Sequence, residues 1–176
     1  MSSTIIRNVR ILTVSRSPAT RSYYPRGEIR IDGNTVTEVG ETVRPEADRI
    51  MDGEGMPAMP GLINGHNHFE QSFMNGTVRL YTGTTAEWIR DFKIPMTGLM
   101  ERSDYYLSAM LTCIHMIRSG VTTSISHICQ QSAEKLADYG VAETVRAVTE
   151  SGVRSVVPIG LAGKNEPEEF IVSAED

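Results

Sequence analysis

The sequence predicts an α/β chain built in two parts, and three observations point to it. The first 60 residues are short β-branched runs parted by turn residues. From residue 61 the order changes to strand, helices, strand, helix, strand. Where the first strand of this second part ends, MPGLINGHNHFEQ (59–71) places two histidines one residue apart, behind Pro60-Gly61.

TIIRNVRILTV (4–14) is rich in β-branched residues and predicts a strand. In EIRIDGNTVTEV (28–39), Asp32-Gly33-Asn34 lies between two alternating runs, which is a hairpin signature. A third short run, Arg49-Ile50-Met51, meets Asp52-Gly53, Gly55, Pro57 and Pro60-Gly61, and this turn chemistry closes the β-rich segment.

Leu62-Ile63 then opens a short strand leading into the histidines, followed by a Gly- and Thr-rich loop from Asn75 to Thr84. Thr84-Thr85-Ala86-Glu87 has capping-box spacing, predicting a helix over 87–93 that Pro95 stops. SDYYLSAMLTCIHMIRSG (103–120) sets Leu107, Met110, Leu111, Ile114, Ile117 and Arg118 at helical spacing, with Ser103 as N-cap and Gly120 as the stop. VTTSISHI (121–128) reads as a strand, 132–152 as a helix with a break at Gly140, and VRSVVPIGL (153–161) as a strand again. The acidic end, EPEEFIVSAED, shows no functional pattern. Such alternation implies parallel strands with helical crossovers, in an open doubly wound sheet or part of a (β/α)8 barrel. A full barrel takes ~250 residues, more than the 176 of this chain.

Composition narrows the partners. With 40% hydrophobic and 22% charged residues, the chain can bury a core as one domain or two small ones. A net charge of -5 and no basic run exclude the phosphate-neutralising surface that nucleic acid or an anionic membrane requires, leaving a small molecule or another protein chain. Cys113 and Cys129 match neither a zinc spacing nor a CxxC and read as buried thiols of a reducing compartment. The start carries no apolar leader core and no stretch is long enough to span a bilayer, so the expected location is cytoplasmic.

Residues two apart in a strand face the same side, so His66 and His68 project together and can bind one ion. Sites in parallel α/β folds gather at the carboxyl ends of the strands, where this pair sits. The competing reading makes both histidines loop residues held by backbone or water. That reading leaves the Pro-Gly lead-in, the strand signal and the downstream Gly120-Val121-Thr122-Thr123 as coincidences.

Asp52-Gly53-Glu54-Gly55, the run from Met59 to His68 and Ser119-Gly120-Val121-Thr122-Thr123 resemble the amidohydrolase superfamily, in its deaminase and chlorohydrolase branch. Asn64 favours that branch over the dihydroorotase and hydantoinase branch, which usually carries Asp there. The resemblance implies a distorted (β/α)8 TIM-type barrel beside a small β-sandwich. Residues 1–59 would be the N-terminal part of the sandwich, and 60–176 the first three barrel strands with their helices, the barrel being incomplete in this chain. It also implies that His66 and His68 are two ligands of a divalent metal, Zn2+ or Fe2+. The third histidine, the aspartate and the proton-transfer glutamate and histidine of the family come from later strands, so no catalytic residue is expected within this chain.

Zinc or ferrous iron with an open position lowers the pKa of bound water to ~7, and the resulting hydroxide can attack an electron-poor ring carbon. The implied function is hydrolysis of a C–N or C–Cl bond of a nitrogen heterocycle. Gln71 matches a polar residue common in similar enzymes, Trp88 a pocket tryptophan after the strand-1 loop, and His127 closes a strand at its carboxyl end, so these three are the substrate-binding candidates. Glu70 reads as a solvated carboxylate or one that supports the ligands, His115 as structural, and Phe69 and Phe73 as packing residues. Two rivals stand beside this reading: an inactive fragment that serves as a binding or assembly module, and a cyclic-amide hydrolase, against which Asn64 argues. An exposed strand edge calls for a partner, either the remainder of the barrel or a second copy of the chain.

Overall fold

The computed structural model describes residues 2–15, 21–77, 81–128 and 136–158. It divides into two compact units, Met1–Pro60 and Gly61–Asp176.

The first unit is one sheet of five strands: β1 (Ser3–Leu12), β2 (Tyr23–Asp32), β3 (Thr35–Gly40), β4 (Arg49–Asp52) and β5 (Pro57–Ala58). Their order is β3-β2-β1-β4, with β5 also on β1. The predicted hairpin is present, with Asp32 opposite Thr35. Gly33 takes φ +65 at the first central position, a conformation glycine adopts without steric cost. Asp32 anchors the turn: it accepts from the Thr37 hydroxyl at 2.7 Å and pairs with Arg30 at 2.9 Å. Those two hydrogen bonds hold its carboxyl below the usual range. Ile5, Val9 and Ile11 alternate along the central β1 and are buried.

The second unit contains three parallel strands, β6 (Leu62–Asn67), β7 (Val121–Ser126) and β8 (Arg154–Val156), in sequential order. Between β6 and β7 lie a 3-10 turn (Phe69–Met74), α1 (Thr85–Trp88), a π turn (Ile89–Lys93), α2 (Ile94–Gly98) and α3 (Arg102–Arg118). A second π turn (Leu136–Gly140) and α4 (Val141–Ser151) lead to β8. β6 starts at a tight point: a Cβ on Gly61 would overlap the Thr122 side chain of β7. The Leu62 N–H reaches the Gly120 carbonyl at 2.9 Å, and Gly120, at φ +79, ends α3 as expected.

Several expectations are corrected here. Thr84 forms its capping box with Glu87, but Pro95 does not stop the helix. The chain widens into a π turn, in which the Ile94 N–H bonds the Ile89 carbonyl, and Pro95 then falls in the first turn of α2, where its missing N–H is harmless. α3 begins at Arg102, one residue before the expected cap Ser103, because the Asp104 carboxylate accepts the Glu101 N–H at 2.8 Å. Gly140 is helical and joins the second π turn to α4, so it makes no break. The largest correction concerns the face α3 buries. Leu107, Ile114 and Ile117 are exposed, while Tyr105, Ser108, Ala109, Thr112, Cys113 and Met116 are buried. Small residues on that face let Phe69 and α4 approach closely, and Phe69, Ala109, Cys113, Met116, Ala147, Val148 and Val153 form the core.

Cys113 is a free, buried thiol pushed up by burial. Cys129, the start of the predicted 132–152 helix, residues 159–161 of the predicted strand and the acidic end lie outside the described residues.

Candidate metal centre

The end of β6 is shaped by two asparagines. The Asn64 side chain accepts the His66 N–H at 3.1 Å, holding an irregularity where the ladder with β7 skips between Asn64 and Asn67. The side-chain amide of Asn67, between the histidines, donates to the Ser126 hydroxyl at 3.0 Å. The Asn67 carbonyl in turn accepts from the His127 N–H at 2.9 Å and the Ser126 hydroxyl at 3.2 Å. Asn67 therefore clamps the carboxyl ends of β6 and β7 together.

The two imidazoles lie close together, with ring centroids 4.9 Å apart and planes at 90°. His68 Nδ1 lies 2.7 Å from the His127 carbonyl. A carbonyl oxygen can only accept, so Nδ1 carries the proton and donates, which puts the lone pair on Nε2. Metal-binding histidines are oriented by this kind of bond from their second nitrogen to a carbonyl or carboxylate. The residues present thus suit a divalent ion as two of its nitrogen ligands. Among the described residues no group of three His, Cys, Asp or Glu side chains converges on one point, so further donors must come from elsewhere.

A cavity of about 440 Å3 borders the pair, lined by Asn64, His66, Asn67, His68, Gln71, Ser72 and Asn75, by Thr112, His115 and Met116 of α3, and by Ser119 and Val121. Gln71 lines this cavity together with the histidines. His127 contributes its carbonyl, and its ring centroid is 6.1 Å from that of His68. Trp88 lies off this cavity and packs against Phe92 with centroids 6.4 Å apart. His115, read as structural, is exposed and lines the cavity from α3.

Glu70 is not solvated. Its side chain is 3% exposed, that of Lys93 is 5% exposed, and the two charges are 3.8 Å apart. Phe69 fills the core, whereas Phe73 is exposed. Ser108 donates to the Phe69 carbonyl at 2.8 Å, and Thr112 donates to the same oxygen at 3.4 Å, so α3 holds the turn that follows His68. Sequence reasoning missed Asn67, Ser108, Thr112 and Lys93. The position of Asn67 between the two histidines could have flagged it, but no local signal marks the other three.

The match to the amidohydrolase family model runs over residues 58–173, and the chain belongs to that family. The 5'-deoxyadenosine deaminase of Methanosarcina acetivorans is 30% identical over 163 residues, 92% of this chain and 34% of the relative. The 5-methylthioadenosine/S-adenosylhomocysteine deaminase of Pyrococcus furiosus is 26% identical over 151 residues, 86% of this chain and 33% of the relative. The chain therefore spans about a third of the length of the curated relatives it matches. The solved atrazine chlorohydrolase of Arthrobacter aurescens TC1, crystallised with zinc, superposes with a TM-score of 0.78 at 22% identity, covering 96% of this chain and 39% of that one. Guanine deaminase of E. coli superposes at 0.73 with 18% identity, covering 98% of this chain and 40% of that one. These likenesses establish the fold as the opening portion of an amidohydrolase-type barrel with its preceding β-sheet unit. Among the described residues no helix is long and apolar enough to cross a membrane.

Proposed function

We propose that the polypeptide carrying this chain is a metal-dependent deaminase that releases ammonia from the ring of an adenine-type nucleoside. The observation that carries the reading is the His68 Nδ1 bond to the His127 carbonyl, which presents Nε2 beside His66 at the end of a barrel strand. The family match supports hydrolysis, and the names of the relatives support deamination and the nucleoside class. Zinc fits two imidazole ligands and accompanies the chlorohydrolase neighbour in its crystal, with ferrous iron as the alternative ion. The ion, when bound, supplies water of pKa ~7.

The chain's own residues would do the remaining work. His66 and His68 hold the ion, and the His127 carbonyl fixes the tautomer of His68. Gln71, which lines the cavity, hydrogen-bonds the ring edge of the substrate. The His127 ring borders the base, and Trp88, which lies off the cavity beside the histidines, offers an aromatic face to the part of the substrate that reaches beyond it. The remaining ligands and the proton-transfer groups come from the rest of the barrel, on the same or a second polypeptide.

The test is metal analysis of the full-length polypeptide, together with ammonia release from 5'-deoxyadenosine and guanine, chloride release from a chlorotriazine and ring opening of a cyclic amide. Near-stoichiometric zinc or iron and turnover of the adenosine derivative are expected, with His68→Ala losing both. A metal-free protein that binds no added zinc would end the proposal, and preference for the cyclic amide or the chlorotriazine would move it to another branch.

A further inference from the structure

We infer that Glu70 and Lys93 are positioning residues, whose buried ion pair sets the Trp88 helix against the strand end that bears His66 and His68. The functional importance of that strand end rests on the reading proposed above, but the pairing itself does not.

Both side chains are almost fully buried, 3.8 Å apart. Burying two charges is expensive even when they are paired, and an apolar pair of similar volume would pack there without that cost. What the charged pair provides is a specific relative orientation. Each partner sits where orientation matters. Glu70 follows His68 by two residues, in a turn whose Phe69 carbonyl is held by Ser108 and Thr112. Lys93 ends the π turn that begins one residue after Trp88. One additional residue in a helical turn rotates everything beyond it by ~100°, so the π turn decides that Lys93, and not a neighbour, faces Glu70. Such widened turns are frequent at functional sites. The Lys93 carbonyl is secured by the buried Thr97 hydroxyl at 2.8 Å. Trp88 immediately precedes that turn and lies against its Phe92. A displacement of Lys93 is therefore a displacement of Trp88 relative to the histidines.

The experiment uses the full polypeptide with Glu70→Leu/Lys93→Met, an apolar replacement of the pair. The folded variant is expected to keep its metal and its kcat within ~2-fold, while KM rises ~10-fold, about 1.4 kcal/mol. Trp88 is the single tryptophan of these residues, so its emission is read as the difference from a Trp88→Phe control and is expected to shift to the red. Amide exchange over 84–98 should quicken. Unchanged emission, exchange and KM would reduce the pair to packing and overturn the inference. The exchanged pair Glu70→Lys/Lys93→Glu is the second arm: recovery of emission and KM supports positioning, and a folded protein without recovery refutes it. If neither double variant folds, the pair is a folding requirement and the positioning role is lost. Emission and exchange do not depend on turnover, so a protein without deaminase activity still decides between these outcomes.

Discussion

The Ser108 hydroxyl reaches the Phe69 carbonyl one residue beyond His68, in a fully buried place. Ser108→Ala leaves that carbonyl to the longer Thr112 contact, and a loss of about 1–3 kcal/mol is expected in urea denaturation. Gly61 is constrained by crowding: Gly61→Ala would press on Thr122 and spread β6 from β7, at an expected cost of about 1–3 kcal/mol by the same measurement. Tyr105 gives a pH dependence. Burial, with the nearby Tyr139 and Glu70 charges, pushes its phenol up from 10.0 to about 12. Between those values only the unfolded chain loses the proton, so stability falls as pH rises through this range. Tyr105→Phe is expected to flatten that alkaline loss in thermal melts. Residue-level features written into local chemistry, such as the His-x-His pair and the Thr84 cap, were legible in the sequence. Ser108, Thr112 and Lys93 were not, because their partners lie 39, 43 and 23 positions away.

Elements were legible where their ends are chemical and less so where their faces are tertiary. The Asp32-Gly33-Asn34 hairpin and the Gly120 terminus appear as read, because a turn needs particular backbone angles that few residues supply. The face that α3 buries is not legible from its spacing, because the most apolar stripe does not face inward. Phe69 and α4 instead select the side with small residues. The contact between α3 and α4 carries its own test. Glu143 accepts from Arg146 and pairs with Arg102 across the helices, and these bonds, Arg146 first, hold its carboxyl below the usual range. Its contribution is present above the ordinary glutamate range and is lost as pH falls below it, since the unfolded chain then takes up the proton first. Glu143→Gln should make the acid limb of the melting curve shallower.

At the scale of the whole molecule, the change from a β-rich opening to strand-helix alternation was readable from periodicity alone, and the two compact units divide after Pro60. The β6 and β8 edges of the three-stranded sheet have no strand beside them among the described residues. Ile63 on β6 is 73% exposed, and Leu107, Ile114 and Ile117 present an apolar stripe on α3. Such edges and patches pair with other chains. The 176-residue chain on its own is expected to self-associate in sedimentation velocity, and Ile63→Lys to shift it toward monomer.

The bond from His68 to the His127 carbonyl joins two strands through one proton. If an ion binds Nε2 only when that proton sits on Nδ1, ion binding and strand pairing are thermodynamically reciprocal. Whatever factor the ion adds to the closing of β6 on β7, the closed pair returns to the ion's affinity. Loading the metal should then slow solvent exchange at the His127 amide, which the same clamp ties to Asn67. A substitution in β7, remote from any ligand, could starve the centre of its metal by letting the strand end fray.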